Sequence, residues 1–152
     1  MHNTLKCILN TAVFLSELNR KNKTIVFTNG CFDLLHKGHL HLLNEAKKLG
    51  DILIVAINND ASVKRLKGET RPKESLDIRM QKLANLEIVD FVIPFEEDTP
   101  LLLIEKIKPN VLVKGGDYKK DEIIGNQLVK NIVIIPLLEG FSTSKIIESK
   151  GN

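Results

Sequence analysis

Two histidines three residues apart, His36 and His39, flank Gly38 in the stretch TIVFTNGCFDLLHKGHLHLL, just after an apolar run ends at Asn29-Gly30. Imidazole N–H groups at the start of a helix can hold phosphoryl oxygens, because that end carries unsatisfied backbone N–H groups and a partial positive charge. A glycine there lets an anion approach the backbone. Donors fixed around a phosphorus also stabilise the charge that builds up during transfer. The same spacing fits surface histidines at a helix start. A metal pair is a third reading, but no further histidine or cysteine is placed to complete a ligand set, so no protein-held metal is expected.

Three other stretches carry phosphate chemistry. KRLKGETRPK sets Lys64, Arg65, Lys67, Arg71 and Lys73 against Glu69. Such a run can be plain solvated loop, or it can neutralise a polyphosphate if it lies at a site. Lys67, beside Gly68, is the lysine this reading selects, with Arg71 second. VKGGDY ends a strand in Gly115, Gly116 and Asp117; the glycines let a ligand lie against the backbone, and Asp117 can accept from a ribose hydroxyl or an amine. An ordinary strand-ending turn is the alternative. EGFSTS places Gly140, Ser142, Thr143 and Ser144 at a helix start. One hydroxyl suffices for capping, and the excess points to a second phosphate-binding helix terminus. Asp33, Asn58 and Asp60 join Arg71 as candidate substrate contacts.

The elements that must position these residues alternate. Apolar runs at 24–29, 51–58, 88–95, 110–116 and 131–138 read as strands, the second of them apolar throughout, as in a strand buried on both faces. Helical spacing recurs at 39–50, 74–86, 100–108 and 142–150, with Gly50 as a stop. This alternation predicts a single Rossmann-like, doubly wound α/β domain with a mostly parallel five-stranded sheet. Ligands of such sheets bind at the carboxyl ends of the strands. The loops there include TNGCFDLLHKGH, NNDASVKRLKGETRPK, KGGDYKKDE and LLEGFSTS, where the chemistry clusters. Ahead of the domain at 23–152, residues 1–22 read as an amphipathic helix, with Leu5, Ile8, Leu9, Ala12 and Leu15 at helical spacing.

The totals exclude several classes. With 152 residues, 43% hydrophobic and 27% charged, the chain suits one globular core. A net charge of +3 is too weak for a nucleic-acid binder, so no nucleic-acid partner is expected. No run approaches the ~18 apolar residues of a membrane helix, and Asn10 and Thr11 interrupt the apolar N-terminus where a signal peptide would continue. Cys7 and Cys31 lack CxxC spacing and read as reduced thiols of a cytoplasmic protein.

The stretch TNGCFDLLHKGHLHLLNEAKKLGD with its His-x-Gly-His, the KGGD, and the STS opening the final helix resemble the cytidylyltransferase-like nucleotidyltransferases. The resemblance covers nearly the whole chain after about Lys23. Within them, FTNGCFDLLHKGH, NNDASVKRLKGETRP, EEDTP and VLVKGGDY look most like the D-glycero-β-D-manno-heptose 1-phosphate adenylyltransferases, which make ADP-heptose for the lipopolysaccharide inner core. In many relatives this unit follows a sugar kinase, so the resemblance implies a stand-alone form here. It further implies ATP and a sugar 1-phosphate as substrates, Mg²⁺ carried on the ATP phosphates, and often a homodimer. Thr28, Asn29, Gly30, Cys31 and Phe32 would form the turn against the nucleotide phosphates, which His36, His39 and Lys67 would contact. Gly115, Gly116 and Asp117 would meet the ribose or base. Gly140, Ser142, Thr143 and Ser144 would match a G-x-S-T-T helix start, with serine for the last threonine. Pro136-Leu137-Leu138 departs from the glycerol-3-phosphate cytidylyltransferases, which carry an arginine after that proline. The same fold with CTP and a polyol phosphate, ATP with a flavin or pantetheine phosphate, and a nucleotide-binding module without turnover are the rival readings.

Overall fold

Alternate residues of the apolar runs face opposite sides of one sheet, and each side is covered by helices. The computed structural model describes residues 4–116 and 118–136. Five strands, β1 (Ile25–Gly30), β2 (Ile52–Asn58), β3 (Phe91–Phe95), β4 (Val111–Gly115) and β5 (Asn131–Ile135), lie in the order β3-β2-β1-β4-β5. All pairings are parallel; Thr28 of β1 aligns with Val55 of β2 and with Val113 of β4. This is the Rossmann-like, doubly wound architecture.

The helices are α1 (Thr11–Glu17), α2 (Lys37–Lys47), α3 (Asp60–Lys67), α4 (Leu76–Ala84) and α5 (Leu101–Ile107). On one face Val26, Leu53, Val55 and Val113 pack with Leu43 and Ala46 of α2 and Met80 and Leu83 of α4. On the other, Ile25, Phe27, Ile54 and Leu112 pack with Phe14 of α1 and Ile104 and Ile107 of α5. β2 is buried along its whole length because it is covered on both faces and flanked on both edges. β3 takes an outer position, which tolerates Pro94, a residue that cannot donate to a ladder.

Gly50 does more than stop α2. A Cβ there would lie 2.7 Å from the Thr24 carbonyl oxygen, so the glycine permits close approach of the α2–β2 turn to the start of β1.

Two expectations need correction. The single N-terminal helix over 1–22 is divided: a 3-10 turn at Thr4–Lys6 precedes an isolated parallel bridge from Cys7 to Val92, and the Ile8 N–H donates to the Val92 carbonyl at 2.8 Å. The segment thus extends the free edge of β3. Asn10 then caps α1, its side chain accepting from the Val13 N–H at 3.0 Å. Leu5 and Leu9 are left exposed. The second correction concerns the basic stretch read as loop. Its first part is α3, capped by Asn59, whose side chain accepts from the Ser62 N–H at 2.9 Å, and anchored by buried Val63. Lys64, Arg65 and Lys67 occupy the last turn, where cations complement the helix dipole. The helix ends at Gly68, with φ of 108°.

Candidate active site

The chain runs outward from β1 through β2 to β3, then returns to place β4 on the opposite side of β1. The crevice between the carboxyl ends of β1 and β4 is therefore a topological switch point, where open α/β sheets bind ligands. A cavity of about 440 Å³ opens there, and Asn29, Gly30, Cys31, Asn58, Lys67 and Lys114 are in its wall. A larger cavity, about 620 Å³, lies at the other end of the strands beneath the N-terminal segment, with Leu5, Leu9 and Phe14 in its wall. We assign the site to the smaller one, because it gathers the cations and the strand-end loops.

The histidines adjoin this cavity without lining it. His36 caps α2: its Nδ1 accepts from the Gly38 backbone N–H at 3.1 Å, while Nδ1 of His39 accepts from the His36 backbone N–H at 3.2 Å. The two rings stack with centroids 3.8 Å apart. Since each Nδ1 is an acceptor, the proton of each neutral ring sits on Nε2, and the pair presents two Nε2–H donors. Burial lowers the pKa of His36. Burial, and then the His36 charge, push His39 down to about 3. Near neutral pH both are uncharged donors.

The turn behind them is tightly constrained. Phe32 and Leu34 adopt positive φ, 49° and 59°, in a region that costs non-glycine residues energy and is met at functional sites. The Phe32 ring is buried and lies 5.2 Å from the His39 ring. It also fills the space a side chain at Gly30 would need, since a Cβ there would come within 3.0 Å of it. Thr28 is fully buried, and its hydroxyl donates to the Val113 carbonyl at 2.9 Å, tying β1 to β4. Cys31 is half-buried; desolvation raises its pKa against the lowering charges of Lys67, Arg79 and Arg71, so the thiol stays protonated.

Four candidate substrate contacts have protein partners. Asp33 is buried and accepts from Arg71 Nε at 2.9 Å and from the backbone N–H groups of Lys73 and Glu74 at 2.7 and 3.0 Å. Asp33 and Arg71 thus fasten the loop after α3 to the loop after β1, a positioning part. Asn58 donates to Ser62 Oγ at 3.0 Å and also lines the cavity. Asp60 pairs with Arg79 at 2.7 Å. Gly115 ends β4, and the Gly116 N–H, at φ of 120°, donates to the Ile135 carbonyl at 3.0 Å. Asp117, Gly140, Ser142, Thr143 and Ser144 lie outside the described residues.

Comparison with known proteins decides the family. The sequence profile described as cytidylyltransferase-like matches residues 27–149. The chain belongs to the cytidylyltransferase-like family. It is a nucleotidyltransferase. It is 55% identical over 144 residues to the Bifunctional protein HldE of Helicobacter hepaticus, covering 95% of this chain and 30% of that one. It is 54% identical over 143 residues to the protein of the same name from Campylobacter jejuni strain RM1221, covering 94% and 31%. The chain thus spans about a third of the length of these curated relatives. Among solved structures, the lipopolysaccharide core biosynthesis protein of Thermoplasma volcanium GSS1 is 31% identical with a TM-score of 0.65, covering 77% of this chain and 99% of that one. A Francisella tularensis pantoate-beta-alanine ligase, 20% identical with a TM-score of 0.62 over 95% of this chain and 76% of that one, shares the fold.

Two residues of this cytidylyltransferase-like site escape sequence reasoning. Arg79 of α4 is almost wholly buried, and its guanidinium donates to the carbonyls of Glu74 (3.0 Å), Cys31 (2.8 Å) and Asn58 (2.8 Å) besides pairing with Asp60. It ties the loops after β1 and β2 to α4. Its signal was an arginine in the apolar stripe of Leu76, Met80 and Leu83. Lys114 lines the cavity from the end of β4; its signal was a cation closing an otherwise apolar strand. Among the described residues no three His, Cys, Asp or Glu side chains are grouped to hold a metal ion, and no helix is long and apolar enough to cross a membrane.

The neutral histidines set a pH dependence. His39 takes its proton near 6.5 in the unfolded chain but near 3 in the fold. Its contribution is therefore full above about pH 6.5 and is lost as pH falls toward 3. Burial pushes Asp33 up, but its hydrogen bonds from Lys73, Arg71 and Glu74 outweigh this and hold it below 3.8, so its contribution is lost at still lower pH. Thermal denaturation across pH should show the melting temperature falling below pH 6.5, with a shallower fall in His39→Gln. An identical slope in the variant would refute the assignment.

Proposed function

We propose that the chain transfers the adenylyl group of ATP to D-glycero-β-D-manno-heptose 1-phosphate, giving ADP-heptose and pyrophosphate for lipopolysaccharide core synthesis. The observation that carries this reading is the pair of Nε2–H donors at the start of α2, held beside a cavity that contains two lysines. The heptose assignment draws support from the RLKG and VKGGDY motifs, from the similarity to HldE, and from the Thermoplasma protein's description.

In this reading the ATP phosphates lie over the α2 terminus. An oxygen of the sugar phosphate attacks the α-phosphorus in line; its bond to phosphorus forms as the bond to the pyrophosphate oxygen breaks. The nucleophile is already ionised, so no general base is required. The Nε2–H groups of His36 and His39 and the ammonium of Lys67 hold phosphoryl oxygens and offset their developing charge. Mg²⁺ carried on the ATP phosphates would neutralise part of their charge.

Pyrophosphate release from ATP or CTP, each with heptose 1-phosphate or glycerol 3-phosphate, tests the proposal. ATP with heptose 1-phosphate should give ADP-heptose by mass. Turnover with CTP and the polyol phosphate would reassign the substrates, and tight ATP binding with no turnover would reduce the chain to a binding module.

A further inference from the structure

Lys67 and Lys114 reach the same cavity from opposite sides of β1, one from the last turn of α3 and the other from the end of β4. Neither takes part in an ion pair among the described residues. Lys114 is half-buried, and its ammonium lies 5.5 Å from the centroid of the Tyr118 ring, a contact that only partly replaces lost hydration. Burial lowers its pKa; Cys31 opposes this, and the charge of Lys67 adds to the lowering. The carboxylates of Asp98 and Glu122 share the wall without pairing with either lysine among the described residues, so an anion entering the cavity meets two ammonium groups.

The position of the histidines limits which anion that is. His36 and His39 do not line the cavity, while Lys67 does and its charge is also felt at His39. Lys67 is thus the cavity-lining cation whose charge also reaches His39. In-line displacement needs the leaving and attacking groups on opposite sides of the phosphorus. With pyrophosphate leaving from the histidine side, the attacking group enters from the cavity.

We infer that Lys67 and Lys114 together seat the phosphate of the acceptor, a sugar phosphate monoester, with Lys114 setting acceptor affinity. Two ammonium groups match a phosphate dianion. The rest of the wall suits a polyhydroxylated body: Asn29, Asn58, Asp98, Thr99 and Glu122 offer hydrogen-bonding groups, and Tyr118 an apolar face. The inference rests on the proposed ATP placement, and its test separates the two.

The variant is Lys114→Met, which keeps the aliphatic stem and removes the charge. Its KM for heptose 1-phosphate should rise by at least about 30-fold, with the KM for ATP within about twofold. Its melting temperature should equal or exceed that of the unaltered protein, because an uncompensated charge has gone. An unchanged acceptor KM, or an ATP KM that rises equally, would overturn the inference, as would a fall in melting temperature accompanied by loss of both affinities. If the unaltered protein fails to use heptose 1-phosphate, the proposed function falls, and the lysine seat is judged by a second measurement. Inorganic phosphate, without nucleotide, should slow acetylation of Lys114 by acetic anhydride in the intact chain. Acetylation at the same rate with and without phosphate would refute the seat.

Discussion

His39→Ala is expected to turn over about 10²–10³-fold more slowly than the unaltered protein, the usual cost of deleting one donor that stabilises transition-state charge. The loss should fall on kcat, with a smaller change in the KM for ATP, because the Nε2–H group is proposed to strengthen its hold as charge builds on the phosphoryl oxygens. The His39 ring also accepts the His36 backbone N–H and stacks on His36. A fold control is therefore part of the experiment. His39→Asn, which retains a hydrogen-bonding side chain, should melt close to the unaltered protein while remaining slow. Loss of activity only in proportion to lost folded protein would mean that the histidine is structural.

The second large effect is on stability. Arg79→Met leaves three carbonyls, of Cys31, Asn58 and Glu74, without their donor and Asp60 without its partner. Breaking such a set costs about 3 kcal/mol. For a chain of this size that lowers the melting temperature by roughly 6–12 °C. Two of those carbonyls belong to Cys31 and Asn58, which line the cavity, so the KM for both substrates should rise as well. Urea denaturation with parallel kinetics measures both. A variant as stable as the parent would show that the carbonyls find other donors.

What the sequence disclosed, and what it hid, follows from how each residue is used. β2 was legible because a strand covered on both faces must be apolar throughout, and the parallel sense of the sheet followed from strands alternating with helices. The His36–Gly38–His39 spacing was legible because it marks a helix start at a strand end. α3 was hidden because Val63 is the one buried apolar residue in a turn crowded with cations, too little for a periodic signal. Residues 1–22 misled by a helical spacing that the bridge from Cys7 to Val92 overrides. Arg79 and Lys114 were hidden for a shared reason: each is charged at an apolar position, and the groups that receive it, the distant carbonyls of Cys31 and Asn58 or a cavity, appear only once the chain is folded. Asp33 and Arg71 were noticed as substrate contacts, yet they are 38 residues apart in sequence and pair with one another.

The central claim is that the phosphates of ATP rest against the two imidazoles at the start of α2. A crystal structure of the complex with a non-hydrolysable ATP analogue tests it most directly. The account predicts phosphate oxygens within hydrogen-bonding distance of Nε2 on both His36 and His39, with each Nδ1 still accepting its backbone N–H. An analogue whose phosphates lie away from both rings, with either imidazole turned from the crevice, would contradict it.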